Sequence, residues 1–192
     1  MGTNSLRCLS HRLPQKHHCA SMNRYLFKKI LPLMNLMSKE DLQRIEMQKN
    51  ELAKKVFEVS HLTGNFTLRS GQVSSEYFDK YQFESRPEIL QEIAKQMVPL
   101  IPKDIDYLGA LEMGGIPIAT ALALLTGIPV VFVRKQPKDY GTCKFAEGPS
   151  ISHKKICLVE DVITTGGQVA LSAHDLRKDG AIVDQVICVI DR

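Results

Sequence analysis

Ile156-Cys157-Leu158-Val159-Glu160-Asp161-Val162-Ile163-Thr164-Thr165-Gly166-Gly167-Gln168 is the stretch on which the fold turns. Four apolar residues predict a buried strand, two adjacent carboxylates end it, and a Thr/Gly turn then opens a helix. The backbone N–H groups of Thr164 to Gln168 project from that helix N-terminus and suit a phosphate dianion, helped by two hydroxyls. Gly166 and Gly167 let the backbone approach closely. Two acids beside a phosphate would be repelled unless they faced something else, and sugar hydroxyls or a nearby metal ion are the sensible partners. No G-x-x-x-x-G-K and no G-x-G-x-x-G occurs, which argues against a nucleoside triphosphatase loop or a dinucleotide fingerprint. The segment reads as a site for a phosphorylated sugar.

Working outward, strands of β-branched residues alternate with helices. Strands are predicted at Ile105–Leu111, Val130–Val133, Lys155–Val159 and Gln185–Ile190. Helices are predicted at Pro87–Leu100, Ile116–Leu125 and Val169–Lys178. This alternation predicts an α/β fold with a parallel sheet covered on both faces. Ligands of such folds collect at the carboxyl ends of the strands. Upstream, Ser38-Lys39-Glu40-Asp41 resembles a capping box, and Leu42, Ile45, Leu52, Val56 and Val59 follow at helical spacing. That helix is expected to end before Gly64, and a strand-like passage to follow at Tyr77–Phe83. The division expected is an N-terminal extension over 1–37 and one domain over 38–192, with a small hood at 38–85 and a core at 86–192.

At 192 residues, with 44% hydrophobic and 24% charged residues, the composition is that of a soluble globular domain. No apolar run is long enough for a membrane span. The net charge of +4 is unevenly placed, since residues 1–39 hold seven Lys or Arg and no acid. The remainder carries a net −3, which argues against a body built to coat nucleic acid. The acid-free segment is open to three readings: an organelle transit peptide, a tail without function, or translation from upstream of a start at Met34 or Met37. Otherwise a cytoplasmic location is expected. Five cysteines share no C-x-x-C spacing, and Cys157 and Cys188 read as core residues. His17-His18 lacks acidic neighbours and is a weak metal signal, so no protein metal site is assigned.

Between Val133 and Lys155 lie about twenty residues without periodicity, a length that marks a functional or disordered loop. It opens Arg134-Lys135-Gln136-Pro137-Lys138-Asp139-Tyr140-Gly141. Three cations, an aromatic and a glycine suit a lid that closes over a polyanion. Taken alone, a solvated basic loop fits equally well.

The Glu160–Gln168 run resembles the phosphoribosyl pyrophosphate (PRPP) motif of type I phosphoribosyltransferases. The lid, with Glu147-Gly148, resembles the catalytic loop of orotate phosphoribosyltransferases. So does Phe66-Thr67-Leu68-Arg69-Ser70-Gly71, with Ser74 and Tyr77-Phe78-Asp79 following. Gly109–Thr120, containing Gly114-Gly115-Ile116-Pro117, is similar to that family's pyrophosphate-side turn, and Asp191-Arg192 to its Asp-Arg at a strand end. The resemblance spans residues 40–192. Departures are Arg69 and Gly114, where many members carry lysine, and Tyr140, where many carry histidine. Relatives usually continue past the position of Arg192, so an edge strand is expected to be missing.

The resemblance implies transfer of a phosphoribosyl group from PRPP to orotate, with Mg²⁺ and a homodimer whose lids close over shared sites. It implies Lys138, Arg134, Lys135 and Asp161 nearest the chemistry. Arg69, the three lid cations, Tyr140, Glu160, Asp161, Val162, Ile163, Thr164, Thr165, Gly166, Gly167 and Gln168 would contact PRPP. Tyr77, Phe78, Thr164 and Arg192 would contact orotate, the arginine through its carboxylate. Two other readings stay open: a PRPP-binding regulator or inactive relative, and a transferase for a different base.

Overall fold

The computed structural model describes residues 5–8, 39–68, 71–136 and 144–192. A six-stranded sheet carries the site. Its strands are β1 (Ser5–Cys8), β4 (Tyr107–Leu111), β5 (Val130–Val133), β6 (Ala146–Glu147), β7 (Lys155–Ile163) and β8 (Ile182–Asp191). They lie in the order β1-β8-β7-β4-β5-β6. All pairings are parallel except β5 with β6. The parallel α/β sheet expected from the alternating pattern is therefore present, with one short antiparallel strand at an edge.

Alternation along β7 explains why both faces are covered. Cys157 and Val159 join one core with Leu108, Ala110, Ile187 and Val189. Helices α1 (Lys39–Ser60), α3 (Pro87–Met97) and α4 (Gly115–Thr126) close that core with Val56, Ile93, Met97, Ile118 and Leu122. Ile156 and Leu158 point the other way, against Val131, Val133, Val186 and Cys188, under Ala173 and Leu176 of α5 (Gly167–Lys178). Ile156 to Val159 are all buried, and each such side chain stabilises by about 1.5–3 kcal/mol.

In the segment expected to form a hood, an antiparallel pair, β2 (His61–Thr67) and β3 (Val73–Phe78), is followed by the one-turn helix α2 (Tyr81–Glu84). α1 stops at Ser60, before Gly64 as expected, and His61–Thr67 then pairs with Val73–Phe78 in the hairpin. One expectation changes here. The strand expected at Tyr77–Phe83 ends at Phe78, because Asp79 turns the chain into a helix. Its Oδ1 accepts from the Tyr81 N–H at 3.1 Å and its Oδ2 from Gln82 Nε2 at 3.0 Å. That turn delivers Phe83, fully buried, into the core. Pro87 starts α3 as expected, behind an extended Arg86.

β7 and β8 both run further than predicted. Val162 pairs with Ile190 and Ile163 with Asp191, so the ladder continues past the two acids. The sequence places residues 1–37 outside the fold, yet the backbone of Ser5–Cys8 adds to the sheet beside β8, from Ser5 opposite Gln185 to Cys8 opposite Cys188. The edge that the short C-terminus was expected to leave bare is thus occupied there. Among the described residues no helix is long and apolar enough to cross a membrane.

Candidate active site

Because β4, β5, β7 and β8 are parallel, their carboxyl ends open on one edge of the sheet. Along that edge lie, in order, Arg192 after β8, the Thr164–Gly166 loop after β7, the Glu112–Gly114 turn after β4, and Arg134 and Lys135 after β5. Residues from Glu112 to Arg192 thus follow strands that end on the same edge of the sheet, the edge on which ligands of such folds bind.

The turn between β7 and α5 joins a strand to a helix, as the sequence pattern predicts. Gly166 sits at φ +73°, a left-handed conformation that other residues adopt only with strain, and its carbonyl accepts the Ala170 N–H at 2.9 Å as α5 begins. The first N–H groups of a helix have no carbonyl of their own helix to reach, so those of α5 are available to an anion. Thr164, Thr165, Gly167 and Gln168 are exposed, whereas Val162 is half-buried and Ile163 is a core residue.

The acids behave differently from one another. Asp161 is 1% exposed, and its two oxygens are occupied from within. Oδ1 accepts the Val162 N–H, and Oδ2 meets the ammonium of Lys80, which arrives from the turn after β3. The carboxyl of Glu84, on α2, lies against the same group. Glu160 is half-buried, and its Oε1 accepts the Asp161 N–H at 3.0 Å. Burial pushes the Glu84 carboxyl up to about 9 and that of Glu160 up to about 8, with the adjacent Asp161 carboxylate adding to both. Burial presses Asp161 upward too, but hydrogen bonds from Glu160, Glu84 and Lys80 outweigh it and hold Asp161 below its ordinary value. Three carboxyls and one ammonium thus form a cluster in which the two glutamates are held above their ordinary values and Asp161 below its own.

Gly114 explains how Asp161 fits. A Cβ on Gly114 would lie 1.5 Å from Asp161 Oδ2 and 2.3 Å from its Cγ. Only the absence of a side chain lets the turn after β4 pack on that carboxylate. At the base of the lid, the Lys135 N–H donates to Glu112 Oε1 at 2.8 Å, and the Arg134 N–H to the Phe145 carbonyl at 3.0 Å. Arg134 is half-buried, with its Nε enclosed, and Lys135 is exposed. Lys138, Tyr140 and Arg69 lie outside the described residues.

Tyr77 and Phe78 are not brought together. Successive strand residues face opposite ways, so Phe78 packs on the core while Tyr77 is exposed, its ring 5.4 Å from that of Phe66. Arg192 is exposed at the end of β8, its N–H donating to the Ile163 carbonyl at 2.8 Å. Among the described residues no group of three or more His, Cys, Asp or Glu could hold a metal.

No protein-family model matches the chain. Its sequence is 55% identical over 141 residues to an orotate phosphoribosyltransferase of a Nocardioides species, covering 73% of this chain and 79% of that one. It is 40% identical over 152 residues to the orotate phosphoribosyltransferase of Methanocella arvoryzae, covering 79% and 83%. The chain belongs to the orotate phosphoribosyltransferase family. The family's solved structures agree. Mycobacterium tuberculosis orotate phosphoribosyltransferase in complex with Fe(III) dicitrate superposes with a TM-score of 0.67 at 30% identity, covering 76% of this chain and 85% of that one. The same enzyme in complex with PRPP gives 0.62 at 28%, covering 76% and 83%.

Within this orotate phosphoribosyltransferase frame, three residues went unnoticed in the sequence. Lys80 and Glu84 look like surface charges of a short helix, and only their seats beside fully buried Phe83 reveal the inward turn. Glu112 carries no motif, and its role depends on a hydrogen bond across the β4–β5 neighbourhood. The one available signal was Lys80 directly following Tyr77-Phe78-Asp79, a run already singled out.

Proposed function

We infer that this chain transfers the phosphoribosyl group of PRPP to orotate, giving orotidine 5′-phosphate and pyrophosphate, a step in making pyrimidine nucleotides. A ring nitrogen of orotate attacks C1 of the ribose as the C1–O bond to pyrophosphate breaks. Positive charge grows on the sugar ring, as in glycoside cleavage. Negative charge grows on the leaving group, where Arg134, Lys135 and Lys138 stabilise it. The Thr164–Gln168 turn holds the 5-phosphate, with Glu160 and Asp161 on the ribose side. Tyr77 and Arg192 hold the base, the guanidinium by paired hydrogen bonds to its carboxylate.

One observation carries this reading. The phosphate loop, the acidic pair, the lid base and Arg192 open on a single sheet edge, with Arg192 one hydrogen bond from the residue that begins the loop.

Mg²⁺ suits such a site because it keeps several waters and binds through few carboxylates plus substrate phosphates. Glu160, half-buried at the edge, is an oxygen donor of the right kind, whereas Asp161 is engaged by Lys80. Bound with PRPP, the ion would offset charge on the leaving pyrophosphate. We further take the active form to be a cytoplasmic homodimer, with residues 38–85 as a hood over a core at 86–192. Orotate consumption followed by absorbance, with PRPP and Mg²⁺, tests the activity. Turnover of adenine or uracil in its place would move the chain to another base, and PRPP binding without turnover would make it a regulator.

A further inference from the structure

Lys80 occupies a position that the reaction has not yet been asked to use. It stands on the turn joining β3 to α2, with its side chain 32% exposed and its ammonium on Asp161 Oδ2. The backbone of Gly114 packs against that same oxygen. Lys80 therefore brings a cation to the side of β7 that faces β4, away from α5 and the 5-phosphate loop. The sheet order β8-β7-β4-β5 continues from there to Arg134 and Lys135. A ligand anchored by its 5-phosphate after β7, with its sugar over the acids, must extend its other end toward this side. The turn after β4 has no side chain at Gly114, so a cation there has to come from elsewhere.

We propose that Lys80 is a substrate-binding residue whose ammonium meets the diphosphate end of PRPP above the turn that follows β4. Asp161 holds that ammonium in place when the site is empty, which keeps it from folding away along the hood. Burial presses its pKa down, but the hydrogen bond and charge of Asp161 outweigh burial and hold it above the ordinary lysine value, so the group stays cationic. The ion pair also cancels charge on a carboxylate that would otherwise repel a polyanion. The inference rests on the reading of the chain as a PRPP-using transferase and adds to it a residue that recognises the leaving group.

Calorimetry with PRPP and with ribose 5-phosphate, both in Mg²⁺, tests it. The two ligands share the sugar and its 5-phosphate and differ in the diphosphate. Lys80→Met should weaken PRPP roughly tenfold or more, the scale of one lost charge-assisted contact, and leave ribose 5-phosphate within about twofold. Lys80→Arg should keep PRPP affinity within about threefold, because it keeps the charge. A residue that serves only to pin Asp161 would instead lower the melting temperature and weaken both ligands alike, and that result would overturn the proposal. So would a Lys80→Met protein that binds PRPP as the wild type does. Wild-type protein that fails to bind PRPP would sink the transferase reading itself, and the assignment of Lys80 with it.

Discussion

The backbone N–H of Arg192 donates to the carbonyl of Ile163 across 2.8 Å, which ties the end of β8 to the first residue before the phosphate loop. The backbone of Arg192 is thereby anchored beside the end of β7 while the residue stays exposed. Orotate differs from uracil by one carboxylate, and a fixed planar cation is what distinguishes them. Arg192→Ala should cost on the order of 2–4 kcal/mol in kcat/KM for orotate, with PRPP affinity nearly unchanged. Steady-state kinetics beside calorimetry checks this, and an unchanged kcat/KM would remove Arg192 from the base site.

Gly114→Ala should be far worse than an ordinary glycine replacement. Its methyl carbon would fall 1.5 Å from Asp161 Oδ2, on a side chain with nowhere to retreat. Overpacking of this kind costs about 1–3 kcal/mol. Combining it with Asp161→Ala should recover most of that stability without recovering activity, a non-additivity that thermal unfolding would detect. Additive losses in the double variant would mean the two sites do not touch.

The acidic cluster predicts a slope of stability with pH. Glu84 is raised from an ordinary 4.5 to about 9, and Glu160 to about 8. A carboxyl with a raised folded value holds its proton more tightly folded than unfolded. Its stabilisation is complete below about pH 4.5 and drains away as pH rises through 8 to 9. Asp161, held low, acts in the opposite sense, but below pH 4 and outside this window. Glu84→Gln cannot ionise, so its stability should fall less between pH 5 and pH 9. The difference should reach about 1 kcal/mol or more, roughly 2–4 °C in Tm for a chain of this size. Parallel Tm profiles for the two proteins would show that Glu84 does not hold a proton in the folded state.

For the lid, Lys138→Ala should lower kcat roughly a hundredfold or more while weakening PRPP binding much less, because its charge acts on the leaving pyrophosphate in the transition state. Single-turnover kinetics separates the two effects. A loss confined to KM would make Lys138 a binding residue only.

The core of this fold was written plainly in the sequence. The run Ile156–Val159 is apolar on both faces, and a parallel sheet buried on both faces is the arrangement that satisfies it, whereas in Val130–Val133 only Val131 and Val133 are buried and Phe132 is exposed. The strand–turn–helix over Lys155–Lys178 was equally legible, because it is built from consecutive residues. The hood was read less well. Its first strand, His61–Thr67, was not foreseen, because its pairing with Val73–Phe78 and the shift in register between Thr63 and Phe66 depend on a partner further along the chain. Tyr77 and Phe78 look like a matched pair along the chain, yet strand alternation separates them. Lys80 and Glu84 were hidden for a related reason: what makes them matter is Asp161, far downstream in the sequence and adjacent only after folding.

The edge strand β1 has a kinetic consequence. Ser5–Cys8 pairs with Gln185–Cys188, so one ladder joins segments separated by nearly the whole chain. Closing so long a loop costs entropy before any ladder hydrogen bond is returned, and contacts of this kind form late. During refolding, β8 should stand for a time as an open parallel edge, its amides protected on the β7 side alone. Pulsed hydrogen exchange would resolve this as two waves of protection within one strand. In that interval the exposed edge of β8 is where two copies of the chain could pair wrongly, so refolding yield should fall as protein concentration rises.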